Sequence, residues 1–344
     1  MMKAMILAAG YGTRFRPVTY TLPKPLVPLC NRPLIGWAVE SLLVAGIRDL
    51  IVNVHHLAEA IEGHLRAHYL ARAEIAFSFE KEILGTGGGV RRVRAQLEPG
   101  QDFLLVNGDT VQFPPYEELI AARRAHDSLA ALTLRHPPEN DRFTAVWLEN
   151  GFITRFGRGP GQSTAEPLMF SGSHAISSKI FQYLPDKEFS GIVDEVYQPL
   201  LNAKRETIAA VVSDGLWFDI GTPQRYLSAS RTLLDAIVRG DVPPPADSRV
   251  RGDSLVDRSS AAGGTLVRST IGARSVVRGE LHDTNVWDDC AIGGNARLER
   301  CIVAHGVELS GHIELQDALV CCDHPAIPQD PMYERREGLV IVRV

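Results

Sequence analysis

Beyond residue 253, apolar side chains recur six residues apart: Ile271 and Val277; Val286, Ile292 and Leu298; Val307, Ile313 and Leu319. Glycine and small polar residues fill the gaps, and the run lacks helical periodicity. Six-residue spacing suits a parallel β-helix, in which each coil stacks on the one before it. A generic β-sandwich or meander is the alternative. Gly338–Val344 reads as a closing strand. Ahead of this region, Asp241-Val-Pro-Pro-Pro-Ala-Asp-Ser248 resists both helix and central strand, which marks a domain boundary. The expected organisation is a first domain over 1–240, a linker over 241–248 and a second domain with a C-terminal tail over 249–344.

The first 240 residues have a different texture. Strand-like runs at Ala4–Leu7, Leu50–Val54, Ile75–Phe79, Phe103–Val106 and Ala130–Leu134 alternate with helical patterns such as Pro33–Ala45 and His56–Tyr69. That alternation predicts a mostly parallel sheet with helices on both faces, binding its ligand at the carboxyl ends of the strands. Leu216–Leu234 is expected to start as a strand, turn at Gly221-Thr222-Pro223 and continue as a helix. The 344 residues suit two domains, and 45% apolar with 22% charged residues is the balance of a soluble protein. A net charge of -5 argues against a general nucleic-acid binder. No run approaches the ~20 apolar residues that span a bilayer. The N-terminal apolar stretch is too short for a signal peptide. Five cysteines without CxxC spacing, an odd number, favour reduced thiols in a cytoplasm.

The first strand leads into Gly10-Tyr-Gly12-Thr-Arg-Phe15, followed by Pro23-Lys24-Pro25. A Walker loop needs a Lys-Ser/Thr pair after its last glycine, which is missing. A Rossmann fingerprint needs a third glycine, which is also missing. The third option is a loop for a nucleoside triphosphate. Glycine lets backbone N–H groups face the anion, Arg14 offers a two-pronged donor, and flanking prolines aim the Lys24 ammonium. An ordinary turn with solvated charges is the plainer alternative.

Leu7-Ala8-Ala9-Gly10-x-Gly12-Thr13-Arg14-x-x-Pro17-x-Thr19, then Pro23-Lys24-Pro25-Leu26, resembles the sugar-1-phosphate nucleotidyltransferases, and Gly10–Pro17 is most similar to the mannose-1-phosphate guanylyltransferases. The resemblance spans nearly the whole chain. It implies a Rossmann-like mixed, mostly parallel α/β catalytic domain followed by a left-handed parallel β-helix, a Mg²⁺ requirement, and nucleotidyl transfer to a sugar 1-phosphate with release of pyrophosphate. It assigns metal binding to Asp109, which ends Val106-Asn107-Gly108-Asp109, and to Asp219, in Trp217-Phe218-Asp219-Ile220-Gly221-Thr222. Strand-end carboxylates suit a hard cation of this kind, although Asp219-Ile-Gly-Thr is also a turn signal. Arg14, Lys24 and Asp109 are the expected catalytic residues. Leu7, Ala9, Gly10, Gly12, Thr13, Glu80, Gly85, Thr86 and Gly108 are expected at the nucleotide. The nucleophile is already anionic, so positioning and charge neutralisation suffice.

The position of Glu80 is usually a glutamine in uridylyl- and thymidylyltransferases. An ionised Glu80 only accepts hydrogen bonds, which suits the N1–H and N2–H of guanine and favours GTP. On the sugar side, Ser171 and Gly172 of Phe170-Ser-Gly-Ser-His174 are candidates, with Glu195 as a further one. Where relatives carry a Glu-Lys pair, this chain has Arg155-Phe-Gly-Arg158, which leaves the acceptor sugar open. His55 and His56 are read as structural, Trp217 and Trp287 as packing residues and Cys30 as a small apolar filler. The C-terminal domain shows no acyltransferase pattern, and His305 alone is insufficient. Oligomer contacts or regulation are its expected role, with the chain a homo-oligomer. Uridylyl or thymidylyl transfer to another sugar phosphate is the alternative reaction. A non-catalytic nucleotide-sugar sensor is the alternative of another class, disfavoured because Arg14, Lys24, Asp109 and Asp219 are all kept.

Overall fold

The computed structural model describes residues 2–97, 100–138, 143–157 and 166–344. Its chain divides into two compact units, Met1–Gly10 with Ile35–Trp217 and Tyr11–Leu34 with Phe218–Val344.

The first unit is built on a nine-stranded sheet of β1 (Lys3–Ala8), β2 (Asp49–Val54), β3 (Glu74–Phe79), β4 (Asp102–Asn107), β5 (Ala130–Arg135), β6 (Ala145–Glu149), β7 (Phe152–Phe156), β8 (Leu168–Ser177) and β9 (Ile208–Val212), in the order β3-β2-β1-β4-β8-β5-β9-β7-β6. The helices α1 (Leu34–Val44), α2 (Ala58–Tyr69), α3 (Gly85–Arg92) and α4 (Tyr116–Ala125) connect its strands. Strands β1, β2 and β4 read as continuous apolar runs because they are buried on both faces: Met5, Ile6, Leu50, Val52, Leu104 and Leu105 are all inaccessible to solvent. Pairing is parallel from β3 through β4 and between β5 and β9. It is antiparallel where β8 enters between β4 and β5 and where β7 pairs with β9 and β6. The sheet is therefore more evenly mixed than strand–helix alternation predicts. Alternation reports only the helical crossovers, not the direction in which β8 enters the sheet. Registers Leu7↔Asn107, Ala8↔Val54 and Val54↔Phe79 bring the carboxyl ends of β1 to β4 to one edge.

A short strand, Trp217–Asp219, leads into the second unit, where Thr222 caps α5 (Pro223–Arg239) by accepting from the Arg225 N–H at 3.3 Å, and Pro223 opens the first turn. Gly240, at φ +85°, closes the helix just ahead of the proline-rich stretch.

From Ser254 onward the strands stack in parallel ladders. Val256 pairs Ile271, which pairs Val286, Val303 and Val320 in turn. A second ladder runs Ala262, Val277, Ile292, Leu309, and a third runs Leu266, Leu281, Leu298, Leu315. The apolar rungs form one core. The small polar residues between them stitch neighbouring rungs together. Ser254 Oγ accepts from Ser269 N, Ser260 Oγ from Ser275 N and Ser269 Oγ from Thr284 N, each 15 residues on; Thr284 Oγ1 accepts from Cys301 N, 17 residues on. Buried backbone N–H groups at the corners are thereby satisfied. Leu339–Arg343 pairs antiparallel with Ile313–Cys322 and closes the sheet. Among the described residues, no helix is long and apolar enough to cross a membrane.

Candidate active site

At the strand-end edge of the first unit, a buried polar chain links consecutive strands. Asn53, near the end of β2, accepts from the Ala8 N–H through Oδ1 at 2.8 Å and donates through Nδ2 to Glu80 Oε1 at 2.8 Å. Glu80 Oε2 accepts from the Leu84 N–H at 3.0 Å, and the Glu80 carbonyl contacts His55 Nδ1 at 2.9 Å. Asn53 and Glu80 are 3% and 5% exposed. The carboxylate expected to face a guanine is thus turned into the fold. A buried carboxylate is costly unless its oxygens are hydrogen-bonded, and here both oxygens find protein donors.

The Gly85–Gly89 run, read from sequence as a ligand loop, opens α3. Packing explains its composition. A Cβ at Gly85 would lie 2.6 Å from the Ser190 carbonyl, one at Gly87 2.7 Å from Ser190 Oγ, and one at Gly88 closer still to the Glu188 carbonyl. The 188–192 segment is bonded along this helix start: Gly87 N donates to Ser190 O at 2.8 Å, Ser190 N to Leu84 O at 2.9 Å and Ile192 N to Thr86 Oγ1 at 2.8 Å. Glu195, expected at the sugar, accepts from the Gly191 N–H at 3.0 Å and pairs with Lys187. The Lys187 ammonium, followed by that N–H, holds its carboxyl below the usual range. Glu195 therefore belongs to the clamp on α3.

Strand β4 delivers Asn107, Gly108 and the half-buried Asp109 to the same edge, with Gly108 N donating to Leu7 O at 2.9 Å. Gly172 adopts φ +103°, and a Cβ there would lie 2.6 Å from Asn107 Nδ2, so glycine makes room for that amide. Ser171 is buried, and its hydroxyl donates within the sheet to Thr133 Oγ1 at 2.7 Å. Its carbonyl accepts from Trp217 Nε1 at 2.7 Å. The Ser171 hydroxyl proton is thus committed to the sheet. Leu7 and Ala9 lie at the end of β1 and just beyond it, and Gly10 is exposed. Arg155 is exposed on β7; Arg158 lies outside the described residues.

In the second unit, Gly12 sits at φ +64° over the Lys24 side chain. A Cβ there would come within 2.8 Å of Lys24 Cβ and 3.1 Å of Thr19 Cγ2, in a conformation L-residues avoid. Thr19 donates its hydroxyl to Gly12 O at 2.8 Å. Lys24, 5% exposed, opens a short 3₁₀ turn, with Pro23 fixed at φ -65° before it. Thr13 and Arg14 are exposed, while Phe15 is buried. The Arg14 guanidinium lies on the backbone of Gly221, where a Cβ would fall 2.6 Å from Nη1. The Arg14 guanidinium thus rests on the Asp219–Thr222 turn. Asp219 itself is half-buried and paired with Arg225. Burial pushes the Cys30 thiol up to about 12, in keeping with a filler and not a nucleophile.

Among the described residues, no three His, Cys, Asp or Glu side chains cluster as a metal cage. Mg²⁺ is ordinarily taken by one or two carboxylates together with substrate phosphates and water. Asp109 in the first unit and Asp219 in the second are each carboxylates of that kind, and one paired once with Arg225 keeps further acceptor capacity.

A family model described as nucleotidyl transferase matches residues 3–236. The mannose-1-phosphate guanylyltransferase catalytic subunit beta of Danio rerio is 30% identical over 325 residues, covering 93% of this chain and 86% of its own. The mannose-1-phosphate guanyltransferase of Hypocrea jecorina is 28% identical over 336 residues, with the same shares of the two chains. A crystal structure of HddC from Yersinia pseudotuberculosis complexed with GMP-PN shares the fold at a TM-score of 0.57 and 24% identity, covering 68% of this chain and 100% of that one.

Proposed function

We propose that this chain, which belongs to the nucleotidyl transferase family, is a sugar-1-phosphate nucleotidyltransferase that moves the guanylyl group of GTP to mannose 1-phosphate. The fold of the loop after β1 carries the reading. Gly12 is forced open over Lys24, Lys24 is buried between prolines, and the Arg14 guanidinium rests on Gly221. The choice of GTP and mannose 1-phosphate rests on relatives named for that reaction along nearly the whole chain. The stacked C-terminal strands are read as a left-handed parallel β-helix, on the resemblance and on the repeat of 15 to 17 residues between rungs.

In the proposed reaction a phosphate oxygen of the sugar 1-phosphate attacks the α-phosphorus of GTP. The bond to the bridging oxygen breaks, and pyrophosphate leaves with that electron pair. No proton has to be removed from the nucleophile. The Gly10–Thr13 amides and Arg14 hold the departing phosphates, and Lys24 offsets charge at the α-phosphate and the incoming phosphate. Asp109 and Asp219 are the residues that would hold Mg²⁺, which when bound neutralises phosphate charge. The test is pyrophosphate release measured for four nucleoside triphosphates against several sugar 1-phosphates with Mg²⁺. The expected maximum is GTP with mannose 1-phosphate. A maximum at UTP or dTTP would overturn the substrate assignment, and no release in any combination would overturn the transferase reading.

A further inference from the structure

We infer that the C-terminal stack braces the phosphate loop, and that Tyr226 and Trp287 are positioning residues for the transfer; this rests on the reading above. The loop segment 11–34 has only short 3₁₀ turns at Thr13–Phe15, Val18–Tyr20 and Lys24–Leu26, and one two-residue strand pair, Pro28–Leu29 with Arg32–Pro33. Such a segment does not hold charged groups to catalytic tolerance by its own hydrogen bonds. What holds it comes from α5 and the stack. Trp287 Nε1 donates to the Tyr226 hydroxyl at 2.9 Å, and that hydroxyl donates to the Pro28 carbonyl at 2.7 Å. The Tyr226 ring also packs edge-to-face with Phe15, next to Arg14, with centroids 5.6 Å apart. Phe15, Tyr226 and Trp287 are 0%, 1% and 2% exposed, so the relay is shielded from water.

The strand pair adds a second tie. Its turn residues, Cys30 and Asn31, both have positive φ, +47° and +61°, as a type I′ hairpin requires. Asparagine takes that conformation readily, whereas Cys30 holds it at a steric cost that its surroundings must offset. Asn31 Nδ2 donates to the Ile271 carbonyl at 2.8 Å and to Ser248 Oγ at 3.2 Å, and the Cys30 thiol faces the Ser230 carbonyl at 3.6 Å. Ser230 in turn donates to Asn285 Oδ1. Rungs of the stack thus grip the turn a few residues after Lys24.

The test uses the full chain with Trp287→Phe, which keeps an aromatic ring and removes the donor, and Tyr226→Phe, which removes both bonds. Turnover is expected to fall by about tenfold to a hundredfold, the cost of misplacing catalytic groups. The double variant should be no worse than Tyr226→Phe alone, because Trp287 acts through the tyrosine hydroxyl. Leu298→Ala, in the stack core and outside the relay, is expected to lower Tm while leaving kcat intact below the transition. Amide exchange over 11–34 should quicken in the two relay variants and not in Leu298→Ala. Unchanged kcat together with unchanged exchange in both relay variants would overturn the brace. Quickened exchange in a chain whose unaltered form releases no pyrophosphate would keep the brace and overturn the transferase reading instead.

Discussion

At the residue scale, charge and geometry single out Arg14 and Lys24. Arg14→Ala and Lys24→Ala are each expected to lower kcat by at least ~10²-fold, the usual cost of a lost preorganised donor, with Tm changed little for the exposed Arg14. Near-normal turnover of Lys24→Ala in the pyrophosphate assay would contradict the assignment. Glu80 makes a sharper case. Its two oxygens meet the donors Asn53 Nδ2 and Leu84 N, so Glu80→Gln sets an amide donor against a donor whichever way it turns. Destabilisation of about 1–3 kcal/mol is expected by denaturant titration. Adding Asn53→Asp restores every donor–acceptor match: the aspartate accepts from Ala8 N and from the new glutamine. The double variant should therefore recover most of the stability and keep the preference for GTP. A GTP preference lost in Glu80→Gln and still absent in the double variant would return Glu80 to the base. The motif residues were legible because they are contiguous along the chain. Asn53 was not, because its partners Ala8 and Glu80 lie 45 and 27 residues away.

At the scale of elements, composition predicted most strands and the hinge from strand to helix at Gly221–Pro223, but it did not show which segment presses on α3. A glycine run after a strand looks the same in sequence whether a ligand or another piece of the chain presses on it. Here the pressing segment is 188–192, joined to Thr86 across 106 residues. Gly88→Ala should therefore destabilise the fold by about 1–3 kcal/mol as an overpacking change, although alanine is the better helix former. A chemical-denaturation midpoint at or above that of the unaltered chain would contradict the packing account. The parallel stack was foreshadowed by its six-residue spacing, which marks successive faces. Its repeat of 15 to 17 residues was not visible until the ladders of Ser, Thr and Cys were seen in register.

At the scale of the whole molecule, stability should fall steeply in mild acid. His174 is buried against the Tyr197 hydroxyl at 3.0 Å, and desolvation lowers its pKa from 6.5 to about 3; His64 is lowered to about 4 by burial and by neighbouring His68. Below about pH 6.5 the unfolded chain binds protons that these folded-state imidazoles refuse. Their contribution is therefore complete above that pH and is lost as pH falls toward 3 to 4, by up to about 1.4 kcal/mol per unit per group. Urea titrations from pH 7 to 4.5 should show this slope, and His174→Asn should flatten it; an unchanged slope would contradict the assignment. The central claim concerns the loop that joins β1 to the rest of the chain. The most direct measurement is a crystal structure with GTP and Mg²⁺. The triphosphate is predicted against the Gly10–Thr13 amides with the Arg14 guanidinium on its outer phosphates; a triphosphate bound away from that loop would contradict the account.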